Sequence, residues 1–184
     1  MAQNKWEPKK PQKMSLDEVI RTASLFGVKV GDRYQDHWRN VGMPDNIAVG
    51  IEKYFTCSVD YGDVTIIFTT KKNQILFNAF ICEFFVYDSP VRAFLKTVKA
   101  FDGNSIVAGE IKGGSDFADV VRFLEENHIQ FAECPPIIED WSHVLYTENG
   151  LEILFFPVGK RSRLAIITLQ GHRKEFERLR KISE

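Results

Sequence analysis

The sequence predicts an α+β protein, an antiparallel sheet packed with helices and built from two helix-plus-β-meander repeats of pseudo-twofold character. Three observations carry this. Residues 17–30 (DEVIRTASLFGVKV) align without a gap with residues 118–131 (ADVVRFLEENHIQF) at an offset of 101. Residues 63–68 (DVTIIF) match residues 150–155 (GLEILF), each followed by a polar turn and another apolar run. The copies agree at positions that should face inward: Val19 with Val120, Ile20 with Val121, Val28 with Ile129 and Phe68 with Phe155. A lone meander with one helix buries little apolar surface, whereas two copies can share a core.

Residues 1–14 read as a flexible basic arm, with Lys5, Lys9, Lys10 and Lys13 among Pro8 and Pro11. Residues 15–184 read as one globular domain of two repeats, 15–88 and 115–171, with a linking helix at 90–101 and a C-terminal helix at 172–183. Ser15 and Glu18 have the capping-box spacing. Leu16, Val19, Ile20 and Ala23 continue as a helical stripe, and Gly27 is placed to end the helix. Residues 32–50 resist assignment. Residues 51–59 alternate as a strand, 60–63 turn, 64–68 form a β-branched strand, and 75–86 form a long apolar strand covered on both faces.

Pro90 opens the linking helix, whose stripe is Val91, Phe94, Leu95, Val98 and Phe101. A short strand follows at 105–108. Ser115 caps the second repeat helix, which carries Phe117, Val120, Val121 and Leu124 inward. Strands at 129–132, 144–147, 151–156 and 164–169 complete the second set. The tail helix spaces Phe176, Leu179 and Ile182 for packing.

Composition narrows the function classes. Of 184 residues, 44% are hydrophobic and 27% charged, with a net charge of −1, the profile of a globular chain. The longest apolar run falls short of a membrane span, and no apolar leader follows the N-terminal lysines, so the expectation is a cytoplasmic protein without a membrane partner. The three cysteines (Cys57, Cys82, Cys134) give no disulfide framework, and the four histidines fall in no zinc-ligand spacing. No metal, no cofactor and no catalytic residue is therefore assigned. Residues 153–184 hold eight bases against three acids, but a basic tail on a neutral body reads as a solvated face, so nucleic acid is not expected as a partner.

The strongest signal after the repeat is charge segregation. Residues 115–152 hold nine acids against the single base Arg122, a net −8, whereas residues 15–30 are balanced. Such a stretch is either a solvated face paired with the chain's own basic tail or a docking surface for a basic partner. On the second reading the partner-binding residues are Glu125, Glu126, Glu133, Glu139, Asp140 and Glu148, with Trp141 as an aromatic anchor. Two alternatives remain. A small hydrolase would use Cys134 and His143, close in sequence to Asp140. A scaffold protein would self-associate through the duplicated sheet.

Residues 60–68 (DYGDVTIIF), followed by an apolar strand, resemble a strand pair in small bacterial immunity proteins encoded beside polymorphic or contact-dependent growth-inhibition toxins. The resemblance covers about thirty residues. It implies an inhibitor that binds its cognate toxin, with no catalytic residues of its own. An acidic surface would suit it, because many such toxins are basic nucleases.

Overall fold

Period-two alternation of apolar and polar residues runs through both halves of the chain, and the structure, a computed structural model, realises it as one antiparallel sheet. It describes residues 13–34, 46–51, 55–60, 64–71, 74–83, 85–87, 95–98, 106–134, 141–170 and 173–183. Their architecture is mixed α+β, mostly antiparallel sheet with few helices.

The strands are β1 (Met14–Ser15), β2 (Asn46–Ile51), β3 (Phe55–Asp60), β4 (Val64–Lys71), β5 (Gln74–Glu83), β6 (Phe85–Tyr87), β7 (Leu95–Val98), β8 (Ile106–Val107), β9 (Phe131–Cys134), β10 (His143–Thr147), β11 (Leu151–Val158) and β12 (Arg161–Leu169). The helices are α1 (Leu16–Thr22), α2 (Phe117–Glu126) and α3 (Arg173–Ser183). Eight strands form the main sheet in the order β2-β3-β4-β5-β12-β11-β10-β9. Two four-stranded meanders therefore meet at the antiparallel seam of β5 and β12, where Phe80 pairs with Leu169 and Cys82 with Ile167.

One face carries the main core. Val64, Ile66 and Phe68 of β4, Phe77 and Phe80 of β5, Ile153 and Phe155 of β11, and Leu164 and Ile167 of β12 pack in one cluster with Leu16 and Ile20 of α1 and Val120, Phe123 and Leu124 of α2. The other face of the second meander carries a smaller cluster. There Val144, Tyr146 and Leu154 meet Phe176 and Leu179 of α3. Helix α3 thus covers β9 and β10 of the second meander on the face away from the main core.

Helix α1 begins as its capping box requires, Glu18 N donating to Ser15 Oγ at 3.2 Å. It stops before Gly27, because Ala23 turns left-handed (φ 45°) and sends its N–H to Val19 O. Phe26 and Gly27, both at positive φ (53° and 77°), then make the two-residue turn that bonds Leu25 to Val28. At α2 the cap is Asp116, not Ser115. Ser115 Oγ instead accepts from Lys112 N at 3.0 Å, while the Asp116 carboxylate lies 3.2 Å from Arg163 Nη1.

Several expected elements differ. The described part of the linking helix expected over 90–101 is strand β7, antiparallel to β6. That segment includes β-branched Thr97 and Val98, which suit a pleat better than a helix. The strand expected over 51–59 is split between β2 and β3. Ile51 and Phe55, paired across the hairpin, are an even number of positions apart, so the alternation keeps its phase and hides the reversal. The long strand over 75–86 divides, β5 entering the main sheet and β6 a separate ribbon. Met14, assigned to the arm, is buried and pairs in parallel with Ile106. Residues 1–12 and most of 32–50 lie outside the described residues.

The gapless sequence match pairs α1 with α2, but the backbone features that recur do so in another register. In β5 the bulge leaves Asn78 unpaired opposite Ile67 and Phe68, and in β12 it leaves Ala165 unpaired opposite Leu154 and Phe155. Gly31 N donates to Phe77 O at 2.8 Å and Phe77 N to Asp32 O at 3.0 Å. In the same way Gly114 N donates to Leu164 O and Leu164 N to Ser115 O, each at 2.9 Å. Lys29 N donates to the Asp32 carboxylate as Lys112 N does to the Ser115 hydroxyl.

Candidate functional site

The acidic stretch converges where α2 ends and β9 begins. Helix α2 closes with a Schellman motif: Ile129 N donates to Leu124 O at 2.9 Å and His128 N to Glu125 O at 3.0 Å. His128 holds the left-handed position (φ 55°) that glycine usually takes. The reversal lifts Glu125 and Glu126 to the surface and sends the chain through Ile129 and Gln130 into β9. Both carboxylates stand at the negative end of the helix dipole, and the last turn has no basic residue. That placement works against local stability by about 0.3–1 kcal/mol per charge.

A trough runs along this junction, formed by two adjoining cavities of about 740 and 720 Å³ that share His128, Ile129, Gln130, Phe176 and Arg180. One side of it is stitched to α1. Arg21 Nε donates to Asn127 Oδ1 at 2.7 Å, and its guanidinium lies 5.1 Å from the centre of the Phe123 ring. Asn149 Nδ2 donates to Ile20 O at 2.9 Å. The opposite wall is α3, where Arg180 Nη1 donates to Gln130 Oε1 at 3.0 Å.

Of the residues named from the sequence, three line this trough from three different elements, Glu125 and Glu133 on one cavity and Glu148 on the other. Glu125 comes from α2, Glu133 from β9 and Glu148 from the β10–β11 turn. Glu148 is held by Gln130 N, which donates to its Oε1 at 3.1 Å. Glu126 is exposed on α2 but lines neither cavity. Glu139 and Asp140 lie outside the described residues. Trp141 packs on the α3 side of the sheet, half-buried and edge-on to Phe156 at 6.0 Å, within the smaller cluster rather than beside the carboxylates.

The trough also has basic members that the acid count could not locate: Arg21 on α1 and Arg180 and Lys181 on α3. Arg21 carried a signal, since it aligns with Arg122 in the gapless match of residues 17–30 with 118–131. Asn149 reads from the sequence only as part of the Glu148-Asn149-Gly150 turn, and nothing there sets Gln130 apart.

The proposed Cys134–His143 dyad does not form. Cys134 pairs with Val144 across β9 and β10, so its side chain shares the face of α3. His143 points to the other face, stacked on Phe117 at 4.0 Å, with Nδ1 donating to Glu133 Oε1 at 2.6 Å. The sheet stands between thiol and imidazole, so this base cannot take this proton.

Burial pushes the Cys57 thiol above its ordinary range. Tyr34 is pushed up by burial first and by Cys57 second. Among the described residues no group of three or more His, Cys, Asp or Glu could hold a metal ion. Among them, too, no helix is long and apolar enough to cross a membrane. Compared with known proteins, the chain matches no family model, no curated protein and no solved structure.

Proposed function

We propose that this protein is a cytoplasmic protein-binding inhibitor, an immunity protein that neutralises a cognate basic toxin domain by direct contact. The observation that carries the reading is that Glu125, Glu133 and Glu148, from three separate elements, line the two adjoining cavities of the trough, the first two on one cavity and Glu148 on the other. The dipole-opposed placement of Glu125 and Glu126 adds to it, because a locally unfavourable charge pair is what a binding surface retains and a purely structural helix end does not. Steering by clustered carboxylates would speed capture of a basic partner and make it salt-dependent.

The test is charge reversal. Glu125→Lys, Glu126→Lys and Glu148→Lys together should abolish inhibition of the toxin domain encoded beside this chain, with the fold intact. A variant that still inhibits with unchanged affinity and salt dependence removes the carboxylates from the interface. A neighbouring product that the native protein does not inhibit removes the toxin reading.

The paired bulges and paired glycine turns support descent from a duplicated unit with pseudo-twofold character. The turn residues 29–32 then correspond to 112–115, and residues 64–82 to 151–169, in place of the α1-to-α2 match. A second reading, self-association through the sheet, is favoured by the exposed Ile47 and Val49 on outer strand β2, at 59% and 55% exposure. A solution mass measurement separates it from a monomeric inhibitor.

A further inference from the structure

Strand β9 ends the main sheet, and among the described strands β10 is its one neighbour. Glu148 N donates to Gln130 O at 2.9 Å and Gln130 N to the Glu148 carboxylate, so the main chain of Gln130 faces β10. By alternation the N–H and C=O of Ala132 and Cys134 face β10 as well, and those of Phe131 and Glu133 face outward. Among the described residues nothing bonds to these outward groups. The 720 Å³ cavity of the trough lies along this edge. Phe131, Ala132 and Glu133 line it between the end of α2 and the α3 wall of Phe176 and Arg180.

We propose that the edge of β9 accepts an extended segment of the partner as a further strand, and that this segment alternates basic and apolar side chains. The two faces of β9 dictate the alternation. Phe131 packs on the main core and Glu133 meets His143, so both face the α2 side, from which Glu125 also lines the cavity. Ala132 and Cys134 face α3 and its buried Phe176. A strand laid along the edge therefore sets every second side chain toward the carboxylates and the intervening ones toward apolar surface. A second copy of β9 would bring the same carboxylates and the same flanking helices, so charge opposes a self-paired edge. The inference rests on the inhibitor reading for the basic character of the partner, and it adds how the partner is held.

The probe is a capped synthetic octapeptide alternating lysine and valine, added to the full-length native protein. Its affinity should fall as salt rises, and a peptide with the lysines grouped before the valines should bind about tenfold more weakly. N-methylation of the lysine amides removes the donors aimed at β9 in antiparallel addition, and N-methylation of the valine amides does so in parallel addition. One methylated set should therefore abolish binding while the other leaves it unchanged. Hydrogen exchange at the amides of Phe131 and Glu133 should slow when the peptide is bound. Equal binding of the grouped peptide, tolerance of both methylated sets or unchanged exchange at Phe131 and Glu133 overturns strand addition. So does an alternating peptide that fails to bind up to about 1 mM. Each of these results leaves inhibition and its charge reversal to be read separately. A protein that takes the peptide on β9 but inhibits no neighbouring toxin sinks the inhibitor reading alone.

Discussion

The carboxylate of Asp17 accepts the amide of Ile111 at 2.9 Å across 94 positions of chain, and that of Glu110 at 2.8 Å. One side chain of α1 thereby fixes the turn that leads into α2. Asp17→Ala should cost about 2–4 kcal/mol in denaturant unfolding, because two amides lose their acceptor at once. Asp17→Asn should recover part of this by accepting one of them. A Cβ added at Gly109 would overlap the same carboxylate, so Gly109→Ala should be destabilising alone and nearly silent in the Asp17→Ala background. Strictly additive costs would show that the two residues do not meet.

His128 closes α2 at φ 55°, a conformation costing a residue with a Cβ about 1–2 kcal/mol. His128→Gly should raise stability by about 1 kcal/mol in chemical denaturation. A loss would mean that the exposed imidazole contributes more than the backbone strain costs.

Cys57 and Tyr34 both hold their protons more tightly in the folded protein, by burial. The unfolded chain therefore releases protons first, so their contribution to stability is complete at neutral pH. It declines as pH rises past the ordinary values, roughly 8.5 for the thiol and 10 for the phenol. Unfolding midpoints should fall along this alkaline limb, and Cys57→Ser with Tyr34→Phe should flatten it. An unchanged slope in the double variant would assign the limb to other groups.

Cys134 and His143 sit on neighbouring strands and opposite faces. A double-mutant cycle of Cys134→Ser and His143→Ala, read by unfolding free energy, should return a coupling below about 0.5 kcal/mol. Coupling of several times that size would require a contact through the sheet, which the register forbids.

Local signals were legible in the sequence and pairings were not. The Ser15 cap, the β-branched run of β4 and the turns flanking β11 depend on neighbours within a few positions, and residue chemistry displays them. The stop at Ala23 and the turn at Phe26 place non-glycine residues at positive φ, where tertiary packing overrides local preference. Register is equally silent. Whether Cys134 faces His143 or Val144 depends on how β9 slides along β10, and a slip of one residue would exchange the faces. The carboxylates of the candidate site were visible as charge. Their convergence with Arg21 and Arg180 required the fold.

The seam between β5 and β12 has a consequence for how the protein is made. During synthesis the first meander leaves the ribosome with β5 as a bare edge, and its partner β12 follows only after the whole second meander has been translated. For that interval Phe80, Ile81 and Cys82 lie on an unpaired strand edge, available to any other nascent chain. Translation speed and chaperone supply between β5 and β12 should therefore set the yield of soluble protein more strongly than the stability of the finished sheet does.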